Sequence, residues 1–255
     1  MATMQTAERV SRDATDNFVF QRSILAYYEA AKRVQGDVLE IGTGSGYGIE
    51  LIAPHAKQFI TLDKYMAETG EALPDNVEFR QATVPPLPFE SERFDCVISF
   101  QVIEHIKQDL EFVREIHRVL RPGGKVILTT PNRPMSLTRN PWHVREYLPD
   151  ELQNLFSIHF GEVELMGVGG NERVMAYYER NRESVRKITR WDILDLQHRL
   201  PRWMLQLPYD VMNRLNRRKL HAAAPEESAA ISRDDYFLTN NTEGAFDLFL
   251  TAVKR

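Results

Sequence analysis

Cysteine is almost missing from this sequence. Cys96 is the only one in 255 residues, so no intrachain disulfide can form. It lies inside the apolar run CVISF, a setting that suits a buried core residue better than a nucleophile. Long apolar runs are missing too: VLEI and CVISF fall far short of the ~20 residues that cross a bilayer. The polar opening MATMQTAERVSRDATDN carries no apolar signal segment, and with so little cysteine a cytoplasmic location is expected. Charge of one sign is not in excess either. A net charge of -4 and a pI of 6.0 argue against a general nucleic-acid-binding surface, and no nucleic-acid partner is expected.

With 43% hydrophobic residues the chain can bury one large core and a smaller appendage. Apolar spacing predicts a helix over 18–33, a strand over 37–41 and a helix over roughly 47–54. KQFITLD, NVEFRQA, FDCVISF and GKVILTT read as further strands, with DLEFVREIHRVL as a helix between the last two and RPGG as its stop and turn. PDELQNLF then reads as a helix, GEVELMGV as a sixth strand and AFDLFLTAV, 245–253, as the last. Strands alternating with helices imply βαβ units: an α/β fold with an open, mostly parallel sheet and helices on both faces.

The segment LEIGTGSGYG, 39–48, places Gly42, Gly44 and Gly46 two apart, straight after a strand that carries Glu40. A strand, a glycine turn and a helix N-terminus collect backbone N–H groups at one sheet edge, where open α/β folds bind ligands. The dinucleotide spacing G-x-G-x-x-G fails, because Tyr47 stands at its third position. Asp63 ends the second strand, where a carboxylate can accept from two ribose hydroxyls at once.

Taken in order, VLEIGTGSGYG, ITLDKY, FDCVISFQVIEHI and RVLRPGGKVILTTPN resemble the class I S-adenosylmethionine-dependent methyltransferases over roughly residues 36–167. The resemblance implies a Rossmann-like sheet of seven strands with an antiparallel last strand beside the fifth, and S-adenosylmethionine as cofactor. By the same resemblance Glu40, Gly42, Thr43, Gly44 and Gly46 border its methionine part and Asp63 takes the ribose hydroxyls. Ala82 and Thr83 of the QAT turn flank the adenine, and Gln101 borders the reacting methyl.

Methyl transfer from a sulfonium is an in-line displacement that asks a protein mainly to align the partners and to remove one proton. An NPPY-like tetrad, expected of amino-directed nucleic-acid enzymes, is replaced here by SFQV. Glu104, His105 and His143 are the candidates for acceptor-side chemistry, since neutral imidazole suits deprotonation of a hydroxyl. Ubiquinone O-methyltransferases and small-RNA 2'-O-methyltransferases carry a similar E-x-x-E-H segment that holds a divalent metal. Gln101 stands in place of the first acid, an amide is a poorer ligand, and no metal is assigned.

Residues 182–221 contain ten Lys or Arg against four acids, a balance of +6 that leaves -10 elsewhere. Ile188, Trp191, Leu194, Leu196, Leu200, Trp203, Leu205 and Leu207 are interleaved, which predicts amphipathic helices suited to a lid, an anionic substrate or a membrane surface. A lid, or plain core packing, would shield both tryptophans at least in part. HAAAPEESAAISRDD reads as a mobile linker. The expected organisation is an N-terminal helical segment over the cofactor site (1–35), a cofactor-binding domain (36–170 with 245–255) and a helical cap (171–244). The expected activity is methyl transfer to oxygen of a small-molecule or glycolipid-type acceptor, with peripheral membrane contact through the insertion. A non-catalytic cofactor-binding scaffold and a nicotinamide oxidoreductase are the rivals.

Overall fold

A computed structural model describes residues 13–65, 72–192 and 195–255. Residues 1–12 of the expected N-terminal segment and Leu194 of the insertion lie outside them. The elements are α1 (Asn17–Ala31), β1 (Asp37–Ile41), α2 (Ile49–Ile52), β2 (Gln58–Asp63), β3 (Val77–Gln81), β4 (Phe94–Phe100), α3 (Asp109–Val119) and β5 (Leu120–Pro131). They continue with α4 (Pro149–Ser157), β6 (Glu162–Gly170), α5 (Glu172–Thr189), α6 (Leu196–Arg199), α7 (Arg202–Ala223), α8 (Pro225–Ala230), β7 (Tyr236–Thr239) and β8 (Asp247–Val253).

One sheet runs β3-β2-β1-β4-β5-β8-β6-β7. The pairs among β1 to β5 are all parallel, while β8 runs antiparallel to both β5 and β6. Strand order reverses between β1 and β4, which opens a crevice at the carboxyl ends of the strands, where such folds bind ligands. The two-residue period of a strand sends Val38 to the core on one face and Leu39 and Ile41 to the core on the other. Glu40 therefore faces the side that α1 covers.

Three expectations need correction. The sheet has eight strands, not seven, because YFLT at 236–239 pairs antiparallel with the end of β6. The segment read as a mobile linker is built structure: α7 runs into it, α8 follows, and Asn17 Nδ2 donates to the carbonyls of Ser228 and Ile231 at 2.9 and 2.8 Å. Trp191 and Trp203 are not shielded; each is 72% exposed. RPGG, expected as a helix stop and turn, falls where pairing with β4 jumps from Phe94 opposite Leu120 to Cys96 opposite Lys125, and Gly123 takes a φ of 76° there.

Candidate functional site

The glycine loop leaves β1 with Gly42, Gly44 and Gly46 all at positive φ, a conformation only glycine adopts without strain. A methyl group on Gly42 would lie 2.4 Å from Val102 Cγ2, so the loop after β1 packs directly beneath the loop after β4. A methyl on Gly44 would meet no protein atom within 4 Å. The space over Gly44 is an open cradle that a side chain would fill, and it fits a bound cofactor.

Asp63 lies at the next strand end. Its Oδ2 accepts the Gly44 N–H at 2.9 Å and its Oδ1 accepts the Tyr65 N–H at 2.9 Å, so the carboxylate fixes the loop. The Ala82 N–H donates to the Asp63 carbonyl at 2.9 Å, which brings the Ala82–Thr83 turn beside it.

Glu40 is buried, and burial raises its carboxyl to about 7. Tyr27 of α1 donates its phenol to Oε1 at 2.7 Å, and the Thr61 hydroxyl donates to Oε2. Thr43, expected against the cofactor, turns its hydroxyl inward to Thr61 at 2.6 Å. Gly48 makes room for this network: a methyl there would overlap the Tyr27 ring at 1.9 Å. Sequence reading missed Tyr27 and Gly48, because only the folded chain brings α1 over β1. Cys96 is buried, and burial pushes its thiol up to about 12, which removes it as a nucleophile.

On the acceptor side Gln101 has a φ of 57°. Its backbone N–H donates to the Thr129 carbonyl at 2.9 Å and its amide reaches the Thr129 hydroxyl at 3.3 Å. Glu104 is buried, with Thr130 Oγ1 donating to its Oε2 at 3.1 Å. The Glu104 carbonyl accepts the N–H groups of Val144 and Arg145, at 2.6 and 3.2 Å, which laces the loop after β4 to the loop after β5.

The two imidazoles stand 5.1 Å apart edge to face, and ligand atoms of Glu104, His105 and His143 lie within 4.8 Å of one another. Their hydrogen bonds assign different proton states. His105 Nδ1 faces the Trp142 carbonyl at 3.1 Å; a carbonyl can only accept, so Nδ1 carries the proton and Nε2 the lone pair. Asn140 Oδ1 takes the Trp142 N–H at 3.0 Å, which points its amide N–H at His143 Nε2, 2.8 Å away. His143 Nδ1 then donates to Glu146 at 2.6 Å. The His143 Nε2 is thus engaged by Asn140, while the His105 ring is held through its Nδ1.

Beside this cluster a cleft of about 460 Å³ is lined by Arg133, Arg139, Arg145, Arg202, His143 and Glu146 among others. Glu146 is engaged by His143 and by the Ser136 hydroxyl, while Arg202 and Arg139 donate to the carbonyls of Val144 and Gln197. Cationic walls of this kind suit an acceptor that carries negative charge.

Residues 39–128 match the model of a methyltransferase domain. A Mycolicibacterium smegmatis protein named "Probable S-adenosylmethionine-dependent methyltransferase" is 40% identical over 159 residues, 59% of this chain and 62% of that protein. The Pseudomonas syringae ubiquinone biosynthesis O-methyltransferase is 32% identical over 114 residues, 41% of this chain and 48% of that one. The chain thus spans about three fifths of the mycobacterial relative's length and about half of the other's. Among solved structures, a Thermotoga maritima S-adenosylmethionine-dependent methyltransferase shares the fold with a TM-score of 0.59 at 16% identity, covering 97% of this chain and 98% of that one.

The open parallel sheet, its switch point between β1 and β4 and the glycine loop define a Rossmann-like cofactor-binding domain. More narrowly, residues 39–128 are a methyltransferase domain by that match, and the likeness is to S-adenosylmethionine-dependent methyltransferases.

Proposed function

We propose that this chain transfers a methyl group from S-adenosylmethionine to an oxygen of a small-molecule or glycolipid-type acceptor that carries negative charge. The observation that carries this reading is the grouping of Glu104, His105 and His143 on the loops after β4 and β5, with the His105 ring held through Nδ1 by the Trp142 carbonyl, which supplies imidazole for taking a hydroxyl proton. The cofactor supplies an electrophilic methyl on a sulfonium. The protein's part is to hold and orient. The glycine loop and Asp63 form the cofactor cradle, Glu40 supports the loop from below, and the arginine-lined cleft receives the acceptor. A scaffold without catalysis would have no use for an oriented imidazole beside that cleft. A nicotinamide enzyme is disfavoured by Tyr47 at the position of the third glycine.

Calorimetric titration with S-adenosylmethionine and with a nicotinamide dinucleotide separates these readings, and only the first should bind. In the same assay Asp63→Ala should weaken S-adenosylmethionine roughly ten- to a hundredfold, through lost hydrogen bonds to a charged group worth ~1.5–3 kcal/mol. Unchanged affinity would remove Asp63 from the site.

A second reading places a divalent cation on Glu104, His105 and His143, and the 4.8 Å grouping of their ligand atoms favours it. It requires the Asn140 amide to leave His143 Nε2. Turnover lost in EDTA and restored by added metal would support this version, whereas full turnover in EDTA rejects it.

A further inference from the structure

The helix α7 is built inside out. Its face toward the protein is polar: Asp210 accepts the Trp142 indole N–H at 3.1 Å, and Asn216 bonds Ser184 and Asn181, each at 2.7 Å. On the same side Arg217 pairs with Asp16 at 2.7 Å. The outward face is apolar. Trp203, Leu207, Val211 and Leu215 follow at four-residue steps and are 72, 64, 48 and 55% exposed, with Met204 and Met212 beside them. A helix on a water-facing surface turns its apolar stripe inward, and α7 does the reverse. A continuous apolar stripe of this kind marks an interaction surface.

Cations border the stripe. Arg214, Arg218 and Lys219 are exposed on the second half of α7, and Arg186, Lys187, Arg190 and Arg199 are exposed on α5, just beyond it and on α6. Among the described residues of 182–221, Glu183 and Asp195 are the exposed acids.

We propose that α7 docks on an anionic lipid bilayer, lying in the interface plane with its apolar stripe among headgroups and upper acyl chains and its cations on lipid phosphates. Charge selects this occupant over a second copy of the chain, because joining two copies through this face would oppose the exposed Arg214, Arg218 and Lys219 of each. Exposed tryptophan at the start of the stripe also fits, since indole prefers the headgroup boundary. Docking is peripheral: among the described residues no helix is long and apolar enough to cross a membrane. The helix is fastened to the acceptor-side loop. Arg202 donates to the Val144 carbonyl at 2.6 Å, and Trp142, held by Asp210, supplies the carbonyl that fixes His105. The docked face is therefore one contact away from the loop that orients the base.

Co-sedimentation of the full chain with phosphatidylcholine vesicles, with and without phosphatidylglycerol, tests the proposal. Binding should need the anionic lipid, shift tryptophan emission to the blue and fall steeply with salt, because attraction between exposed charges is screened over ~8 Å at physiological ionic strength. Leu207→Gln with Val211→Gln should lower partitioning about tenfold or more through lost apolar burial. Arg214→Gln, Arg218→Gln and Lys219→Gln together should lower it roughly a hundredfold on anionic vesicles. S-adenosylmethionine affinity should be unchanged in both variants, which controls for folding and keeps this test separate from the methyltransferase reading. The proposal is overturned if the unaltered chain stays in the supernatant when anionic vesicles are pelleted at low salt, with its tryptophan emission unmoved, or if the glutamine variants bind as it does. A concentration-dependent dimer that Leu207→Gln and Val211→Gln abolish, with no vesicle binding, would assign the face to a second copy and overturn it equally.

Discussion

Replacing His105 with alanine should lower methyl-transfer turnover by roughly 10² or more and leave S-adenosylmethionine affinity nearly unchanged, the usual signature of losing a positioned general base. His143→Ala should cost less. The His143 Nε2 lone pair is held by Asn140 and its Nδ1 proton by Glu146, so its removal disturbs a loop rather than deleting a proton acceptor. The ordering of the two variants carries the information. Single-turnover rates with labelled cofactor, read beside calorimetric affinities, measure both quantities. A His105→Ala protein that turns over at the unaltered rate would remove imidazole from the chemistry. A larger loss for His143 than for His105 would mean that Asn140 moves aside and the roles are exchanged.

Much of the cofactor half was legible in the sequence because its signals are local. Strands such as 37–41 and 94–100 are short apolar runs bounded by turn residues, and both stand at those limits in the structure. The glycine spacing and Asp63 are likewise local, and a hydrogen bond from Gly44 to Asp63 joins them in the folded chain. What sequence could not give depends on which surfaces meet. The strand at 236–239 is only four residues long, and its pairing with β6 is a tertiary event. The insertion shows the limit most clearly. Helical spacing revealed that α7 is amphipathic, but periodicity does not say which face the protein takes. Asp210, Asn216 and Arg217 found buried or half-buried partners, so the polar face went inward and the tryptophan expected to be covered faces out. The acceptor side was legible in its residue types and not in its proton states. His105 and His143 look equivalent until Trp142 and Asn140 are seen to hold different nitrogens.

The network under the glycine loop predicts an unusual pH dependence of stability. Burial raises the Glu40 carboxyl from 4.5 to about 7 in the folded chain, against the opposing effect of hydrogen bonds from Thr61 and Tyr27. Below pH 4.5 the group is protonated in both folded and unfolded chains, and its neutral form is fully accommodated. As pH rises from there toward 7 the unfolded chain gives up a proton that the folded chain retains, so stability from this group falls across that window and is flat above it. The full loss is on the order of 3 kcal/mol, since each unit of separation corresponds to ~1.4 kcal/mol. Glu40→Gln keeps the shape and removes the titration. Its amide can donate to the Thr61 hydroxyl oxygen while that hydroxyl turns to Thr43, 2.6 Å away, and its carbonyl can still accept from Tyr27. Urea midpoints measured from pH 4.5 to 8 should therefore decline less with pH in Glu40→Gln than in the unaltered chain, with the gap widening up to about 7 and then holding constant. Parallel curves for the two proteins would mean that Glu40 is ionised in the folded state at acid pH, and that its carboxylate is held there by charge rather than excluded by burial.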